Sequence, residues 1–289
     1  MSETSLNMNY EPEVIVDTDT LSREDWLSYR KLGIGGSDVA AIMGISPFAT
    51  IRDLYNDKLG IEPLIEEEES NWVAKEVGHR LEDLVAEIFA KKTGLTVFPV
   101  RKMFRHPLHP FMLADVDFFI IFPDGSYGIL ECKTCNYNAR TKWEDGGIPD
   151  NYILQVRHYL SVMNMDKAYI ACLYGNNENE FVIRPIERDM MEEEEIIAQE
   201  EYFWKEYVEK GVEPPYTEKP DLVLESIRRH CGPAEKDADQ VNLDRKHVVE
   251  LERYLQLKEE KARHESEVKK LDGLMKEAYT GIVEDMGVS

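Results

Sequence analysis

Two acids and an amine stand at strand spacing in MLADVDFFIIFPDGSYGILECKTC: Asp117 before a turn, and Glu131 and Lys133 after it. With the turn near Asp124 and Gly125, antiparallel pairing brings Asp117 roughly opposite the Glu131 region. Side chains alternate along a strand, so Glu131 and Lys133 share a face while Cys132 points to the other; Asp115 and Asp117 likewise share a face. Such a group suits phosphodiester hydrolysis, which must neutralise charge developing on phosphate oxygens and generate hydroxide near neutral pH. Carboxylate oxygens suit Mg²⁺, with Mn²⁺ as a substitute, and a lysine beside them can orient or deprotonate the attacking water. The competing reading is a cross-strand salt bridge on a solvated face, worth at most about 1 kcal/mol. A D…ExK pattern by itself does not separate the two.

Other residues extend the constellation. Glu82 sits among apolar neighbours in GHRLEDLVAEIF, placed either to reach over the sheet as a further metal ligand or to lie on a helix surface. Gln155 and Tyr159 fall on one helix face in YILQVRHYL. There the amide can position the substrate or a metal-held water, or be an ordinary partly exposed side chain. Upstream, Arg30 ends a helix and KLGIGGSDVAAIMG follows. Gly35 and Gly36 permit close backbone approach, and Ser37 is a good N-cap for a short helix over 38–43. A glycine-rich turn feeding a helix N-terminus offers free N–H groups to a phosphate, with Arg30 as a clamp; the same residues also describe a capped turn without a ligand. No strand is expected before this turn, so it is not a dinucleotide fingerprint. Cys132 and Cys135 form a CxxC lacking a second pair at zinc spacing, and alternation turns them to opposite faces. His79 reads as a helix-surface neighbour of Glu82, and His106, His109 and His158 as scattered. Trp72 and Trp143 read as packing residues able to stack on a DNA end.

Stepping outward to the elements, residues 1–20 are polar and irregular and read as a loose arm. SREDW starts a helix capped by Ser22, with acids in its first turn. A further helix spans 50–59, and a 3.6-residue stripe over 71–93, through Val73, Val77, Leu81, Leu84, Val85, Ile88 and Phe89, predicts a long helix ended by Gly94. Residues 95–100, 112–122, 127–134, 168–174 and 181–186 are rich in β-branched and aromatic side chains and read as strands, with a helix over 152–163. The class is α/β or α+β, a mixed sheet with helices packed on it. The organisation is an arm over 1–20, a body over 21–215 and a helical extension over 216–289. In the extension, Val248, Leu251, Leu255, Val268, Leu271, Met275 and Ile282 mark either a coiled coil, its heptad interrupted near Lys258 and Glu265, or an amphipathic hairpin.

The bulk numbers fit this plan. A chain of 289 residues buries a substantial core without disulfides, and its four cysteines show no secreted spacing. With no leader-like N-terminus and no apolar run near the roughly 20 residues of a membrane helix, a soluble cytoplasmic protein is expected. The net charge of −23 argues against nucleic acid, which is held largely by Lys and Arg. Much of that excess lies in two blocks, 66–69 and 187–201, read as solvated faces away from a basic groove, and surface charges more than about 10 Å apart are largely screened at 0.1 M salt.

Taken together and in order, RKLGIGGSDVAAIMGISPF, GHRLEDLVAEIF, LADVDFFI, ILECKT and QVRHYL resemble the YqaJ family of phage-type recombinases, over residues 22–186. These are relatives of phage lambda exonuclease in the PD-(D/E)xK nuclease superfamily. The resemblance implies an α/β, restriction-endonuclease-like core with a mixed central β-sheet flanked by helices, and a C-terminal helical extension. It assigns Asp117, Glu131 and Lys133 to the D…ExK roles, Glu82 and the Cys132 carbonyl to metal binding, and Gln155 and Tyr159 to a QxxxY motif. Arg30 and Ser37, with Gly36 between them, match a 5′-phosphate pocket. The implied activity is Mg²⁺-dependent 5′ to 3′ digestion of linear double-stranded DNA, leaving 3′ overhangs for a single-strand annealing recombinase. A ring-shaped homotrimer in the bacterial host cytoplasm is implied too. Where the lambda-type pattern has a serine, this chain has Asp115, which would repel a terminal phosphate unless protonated or metal-bound; Val116 replaces the proline of the superfamily name. The alternatives are an endonuclease or nickase of the same fold and a non-catalytic DNA-binding scaffold.

Overall fold

The computed structural model describes residues 9–65, 72–231, 242 and 244–285, and the chain divides into two units, Met1–Pro233 and Ala234–Ser289. The strands of the first unit are β1 (Glu13–Asp17), β2 (Ile34–Gly35), β3 (Thr96–Phe98), β4 (Lys102–Arg105), β5 (Met112–Asp115), β6 (Phe118–Ile121), β7 (Tyr127–Thr134), β8 (Lys167–Leu173) and β9 (Phe181–Glu187). Its helices are α1 (Arg23–Arg30), α2 (Val39–Ile42), α3 (Ile51–Leu59), α4 (Trp72–Thr93), α5 (Asp150–Met163), α6 (Met190–Tyr202) and α7 (Pro220–Cys231). Among the described residues no helix is long and apolar enough to cross a membrane.

Local signals set most of these elements. Ser22 caps α1 by accepting from Asp25 N, and Thr50 and Asp53 form a capping box at the start of α3. Gly60 and Gly94 end α3 and α4 with φ of +67° and +72°. The turn between β6 and β7 closes through Phe122 N–H to Ser126 O, with Gly125 at φ +85° and Asp124 accepting from Ser126.

The strands form a mixed sheet of order β3-β6-β7-β8-β9 and a second sheet of order β1-β4-β5-β2. β7 pairs antiparallel with β6 and parallel with β8, the latter connection running through α5. Its central residues are buried on both faces. On one side Val85, Ala86 and Phe89 of α4 pack over Leu130, Cys132 and Ala171; on the other, Val156 and Leu160 of α5 pack with Ile129, Ile170 and Cys172. Burying this apolar area is the main force holding both helices to the sheet.

Several expectations are corrected. The continuous strand over 112–122 is two strands in two sheets, broken at Val116 and Asp117. Within the segment expected as a loose arm, β1 pairs with β4 and Glu13 meets Arg105 at 2.7 Å. Two-residue strand β2 precedes the glycine turn, parallel to β5. The acidic run over 187–201 is not wholly solvated: Glu193 forms a buried fork with Arg188, at 2.5 and 2.6 Å, and Glu200 meets His158 at 2.7 Å with both side chains fully buried. The block over 66–69 lies outside the described residues. α7 belongs to the first unit, where Ser226 and Arg229 bind Asp53 of α3, so that unit runs past 215. In the second unit, α8 (Arg245–Asp285) is one continuous helix instead of a hairpin. No proline interrupts it, and i,i+4 pairs such as Lys261 with Glu265 support it.

Glu193→Ala would leave Arg188 with a buried, uncompensated charge, and it is expected to cost about 3–5 kcal/mol in urea unfolding. A loss within about 0.5 kcal/mol would show that the fork is not a structural anchor.

Candidate active site

The break after β5 positions the site. Asp117 sits where the β6–β7 ladder ends, one step beyond the Phe118 and Leu130 pair, and its Oδ2 accepts from Cys132 N–H at 2.8 Å. A carboxylate thus stands in for a ladder partner and is fixed opposite Glu131. Glu131 is buried, and its Oε1 accepts from Lys133 Nζ at 2.5 Å and from Gln155 Nε2 at 2.7 Å. The three expected residues converge, with Lys133 also over the ring of Tyr152 at 5.0 Å. They share a cleft of about 800 Å³ with Glu82, Asp115, Arg30, Ser37, Gln155 and Tyr159.

The electrostatics are those of crowded, desolvated acids. Burial, then the Glu131 charge, push the Asp117 carboxyl up to about 8, and burial, then Asp117, push Glu82 up to about 7. Glu131 is raised by burial despite the opposing pull of Lys133. Burial alone would lower the Lys133 ammonium, but Glu131 and Asp117 outweigh it and hold Lys133 above the usual lysine range. A lysine so held is a charged donor, which favours orienting water or phosphate over removing a proton.

Among the described residues no group of three or more His, Cys, Asp or Glu side chains stands in an arrangement that could by itself hold a metal ion. Asp117 Oδ2 is occupied by Cys132 N–H and Glu131 Oε1 by Lys133 and Gln155. Glu131 Oε2, however, is buried with no hydrogen-bond partner. An orphaned carboxylate oxygen beside two further acids of raised pKa fits a divalent cation, which would supply the missing partner and relieve their repulsion.

Gln155 is no partly exposed amide. It is buried, bridging Glu131 to the Tyr159 hydroxyl at 3.3 Å, so it holds the carboxylate. Gly36 is explained by packing: a Cβ there would lie 2.6 Å from the Tyr159 ring and 2.9 Å from Gln155 O. The N-cap expectation is corrected. Ser37 lies inside a short 3₁₀ turn (Gly36–Asp38), and Gly35 N–H is bound by Asp38 Oδ2 at 2.9 Å. Arg30 reaches Ser37 Oγ at 2.8 Å and also Asp38 at 3.1 Å. Burial would raise the Asp38 carboxyl, but Lys58 and Arg30 outweigh it and keep it below the usual range, so Asp38 stays anionic and offsets Arg30.

Asp115 at the end of β5 and Asp117 within the break line the same cleft, and Asp115 Oδ2 accepts from Trp26 Nε1 at 2.7 Å. Trp26 and Tyr152 are the residues that sequence reasoning passed over. Tyr152 lies one helical turn before Gln155, a spacing that gave the signal. His158 of the same helix ties α5 to β5 through Leu113 O at 2.8 Å and to α6 through Glu200. Across the parallel β7–β8 pair, Cys172 Sγ donates to Cys135 Sγ at 3.5 Å.

The YqaJ-like viral recombinase domain model matches residues 25–166. An uncharacterised protein YqaJ of Bacillus subtilis (strain 168) is 35% identical over 266 residues, spanning 91% of this chain and 80% of the relative. Among solved structures, an alkaline exonuclease (LHK-Exo) from Laribacter hongkongensis superposes with a TM-score of 0.54 at 21% identity, over 66% of this chain and 94% of that one. Its complex with dAMP gives the same values. The likeness shows the fold.

A carboxyl raised in the fold binds more protons there than in the unfolded chain, so the stability it supports falls as pH rises from its unfolded value towards its folded one. In chelator the thermal midpoint is therefore expected to drop between about pH 5 and 8, the window set by Glu82 and Asp117, with saturating Mg²⁺ offsetting the drop. A midpoint flat in pH and indifferent to Mg²⁺ would contradict the crowded-acid description.

Proposed function

The chain belongs to the YqaJ-like viral recombinase family, and on that premise we propose that it is a divalent-metal-dependent deoxyribonuclease digesting linear duplex DNA 5′ to 3′. The product would be a 3′ overhang for a strand-annealing recombinase. The observation that carries this reading is the convergence of Asp117, Glu131 and Lys133 in one cleft, with Glu131 Oε2 left unpartnered. A fold shared with an alkaline exonuclease supports it.

Glu82, Asp117, Glu131 and the Cys132 carbonyl would hold Mg²⁺, or Mn²⁺ in its place. When bound, the ion would neutralise charge on the phosphate and acidify water. The chain supplies the rest. Lys133, kept as an ammonium by Glu131, donates to a non-bridging phosphate oxygen or to the attacking water. Gln155, anchored on Tyr159, keeps Glu131 from rotating, and the Tyr152 ring supports the lysine from below. Arg30 and Ser37 would meet the DNA end, while Gly36 lets their turn lie against α5. A scaffold without hydrolysis has no use for the buried lysine and the orphaned oxygen.

Lys133→Ala is expected to lower Mg²⁺-dependent nucleotide release about 10²–10⁴-fold, with DNA binding and circular dichroism retained; undiminished release would remove Lys133 from the mechanism. Duplex labelled at either end, alongside closed circular plasmid, tests polarity and end-dependence. The 5′ label should be released first and circles spared. Consumption of closed circles would favour the endonuclease reading.

A further inference from the structure

The cleft poses an electrostatic problem that its proposed chemistry leaves open. Its walls carry five carboxylates, Asp19, Glu82, Asp115, Asp117 and Glu131, against four fixed cations, Arg23, Arg30, Arg101 and Lys133. A phosphodiester strand enters only where cations are free to meet it. Lys133 is engaged by Glu131, and Arg30 by Asp38 and Ser37. Even a metal offsets only the acids at one end.

The other two arginines are differently placed. Arg23, the first residue of α1, is exposed, and among the described residues its guanidinium forms no ion pair within 4 Å, its charge acting only weakly on Glu76 of α4. Arg101 has one loose ion pair, 3.8 Å from a highly exposed Asp83, of the kind worth about 0–1 kcal/mol and easily exchanged for a phosphate, and its charge also reaches Asp115. In a chain where acids outnumber lysines and arginines 57 to 34, two cleft-lining arginines held by no close ion pair are the cations most readily given to a phosphate. The backbone also fixes the two segments together. Asp17 pairs with Lys102 at the end of the β1–β4 ladder, and Thr18 N–H bonds Arg101 O at 2.8 Å. The segment leading to Arg23 and the one carrying Arg101 therefore leave the same ladder end, and Trp26, one turn into α1, ties that helix to Asp115.

We infer that Arg23 and Arg101 form a phosphate-binding subsite at the mouth of the cleft that grips the backbone of a DNA strand, a role separate from Arg30 at its inner wall. The inference rests on the nuclease reading. Each guanidinium replaces condensed cations on one phosphate, so each adds about one unit to the salt dependence of binding.

The test is fluorescence anisotropy of the full chain with labelled linear duplex in chelator, over roughly 50 to 200 mM salt. Wild type is expected to bind with a steep slope of log affinity against log salt. The double variant Arg23→Ala, Arg101→Ala should lose about two units of that slope, and Arg23→Lys with Arg101→Lys should retain it. Arg105→Ala, whose arginine pairs with Glu13 outside the cleft, controls for net charge alone, and its slope should match wild type. A double-alanine slope equal to wild type, with folding verified by circular dichroism, would overturn the subsite while leaving the nuclease reading intact. A loss of about one unit in Arg105→Ala, half that of the double variant, would overturn it as a general charge effect. Absence of DNA binding by wild type would defeat the nuclease reading itself.

Discussion

Everything else in this protein is arranged around one costly juxtaposition: carboxylates forced together in a cleft wall where water cannot fully solvate them. Burying ionised groups is unfavourable unless each finds a partner. Asp117 takes a backbone N–H and Glu131 takes an ammonium and an amide, yet one oxygen of Glu131 stays unsatisfied. A group left in that state is a place of stored electrostatic tension, and a small hard cation is the simplest species to discharge it.

The fold bears the cost of holding that arrangement. Central strand β7 is clamped by α4 and α5, so Glu131 has no room to swing towards solvent. α5 is fixed in turn at two further points: Gly36 allows the glycine turn to touch Tyr159, and His158 reaches Leu113 and Glu200. The Leu113 carbonyl can only accept, so His158 Nε2 donates, and the Nδ1 side shares one proton with Glu200. That buried pair therefore carries no net charge while connecting α5, α6 and β5. The stripe of Gln155 and Tyr159 faces the chemistry, and the adjacent His158 faces the scaffold.

Much of the site was legible because its determinants are local. Strand alternation put Glu131 and Lys133 on one face, the Asp124–Gly125 turn set the register with Asp117, and helix spacing joined Gln155 to Tyr159. What was not legible depends on contacts between distant segments. The break at Val116–Asp117 follows from two sheets competing for one apolar run, and the run itself reads as one strand. β1 and β4 are short, and both are defined by pairing with distant segments, β1 with β4 and β4 with β5 as well. Asp38 looks like an ordinary first-turn acid until Lys58, from another helix, is seen to neutralise it and to leave Arg30 partly offset. Glu193 and Glu200 sit in a run whose composition signals solvent, and only Arg188 and His158 explain their burial.

The proposed function depends on the acids around Glu131 acting together as ligands to a divalent ion, with the unpartnered Glu131 Oε2 among them. Calorimetric titration of the full chain with Mn²⁺ in two buffers of different ionisation enthalpy tests it most directly, without reference to catalysis. Saturable binding with proton release near pH 7, both lost in Glu131→Gln, is the predicted result, because carboxyls titrating near 7 and 8 must shed protons to take a metal. Binding that releases no protons, or that survives Glu131→Gln unchanged, would contradict the account.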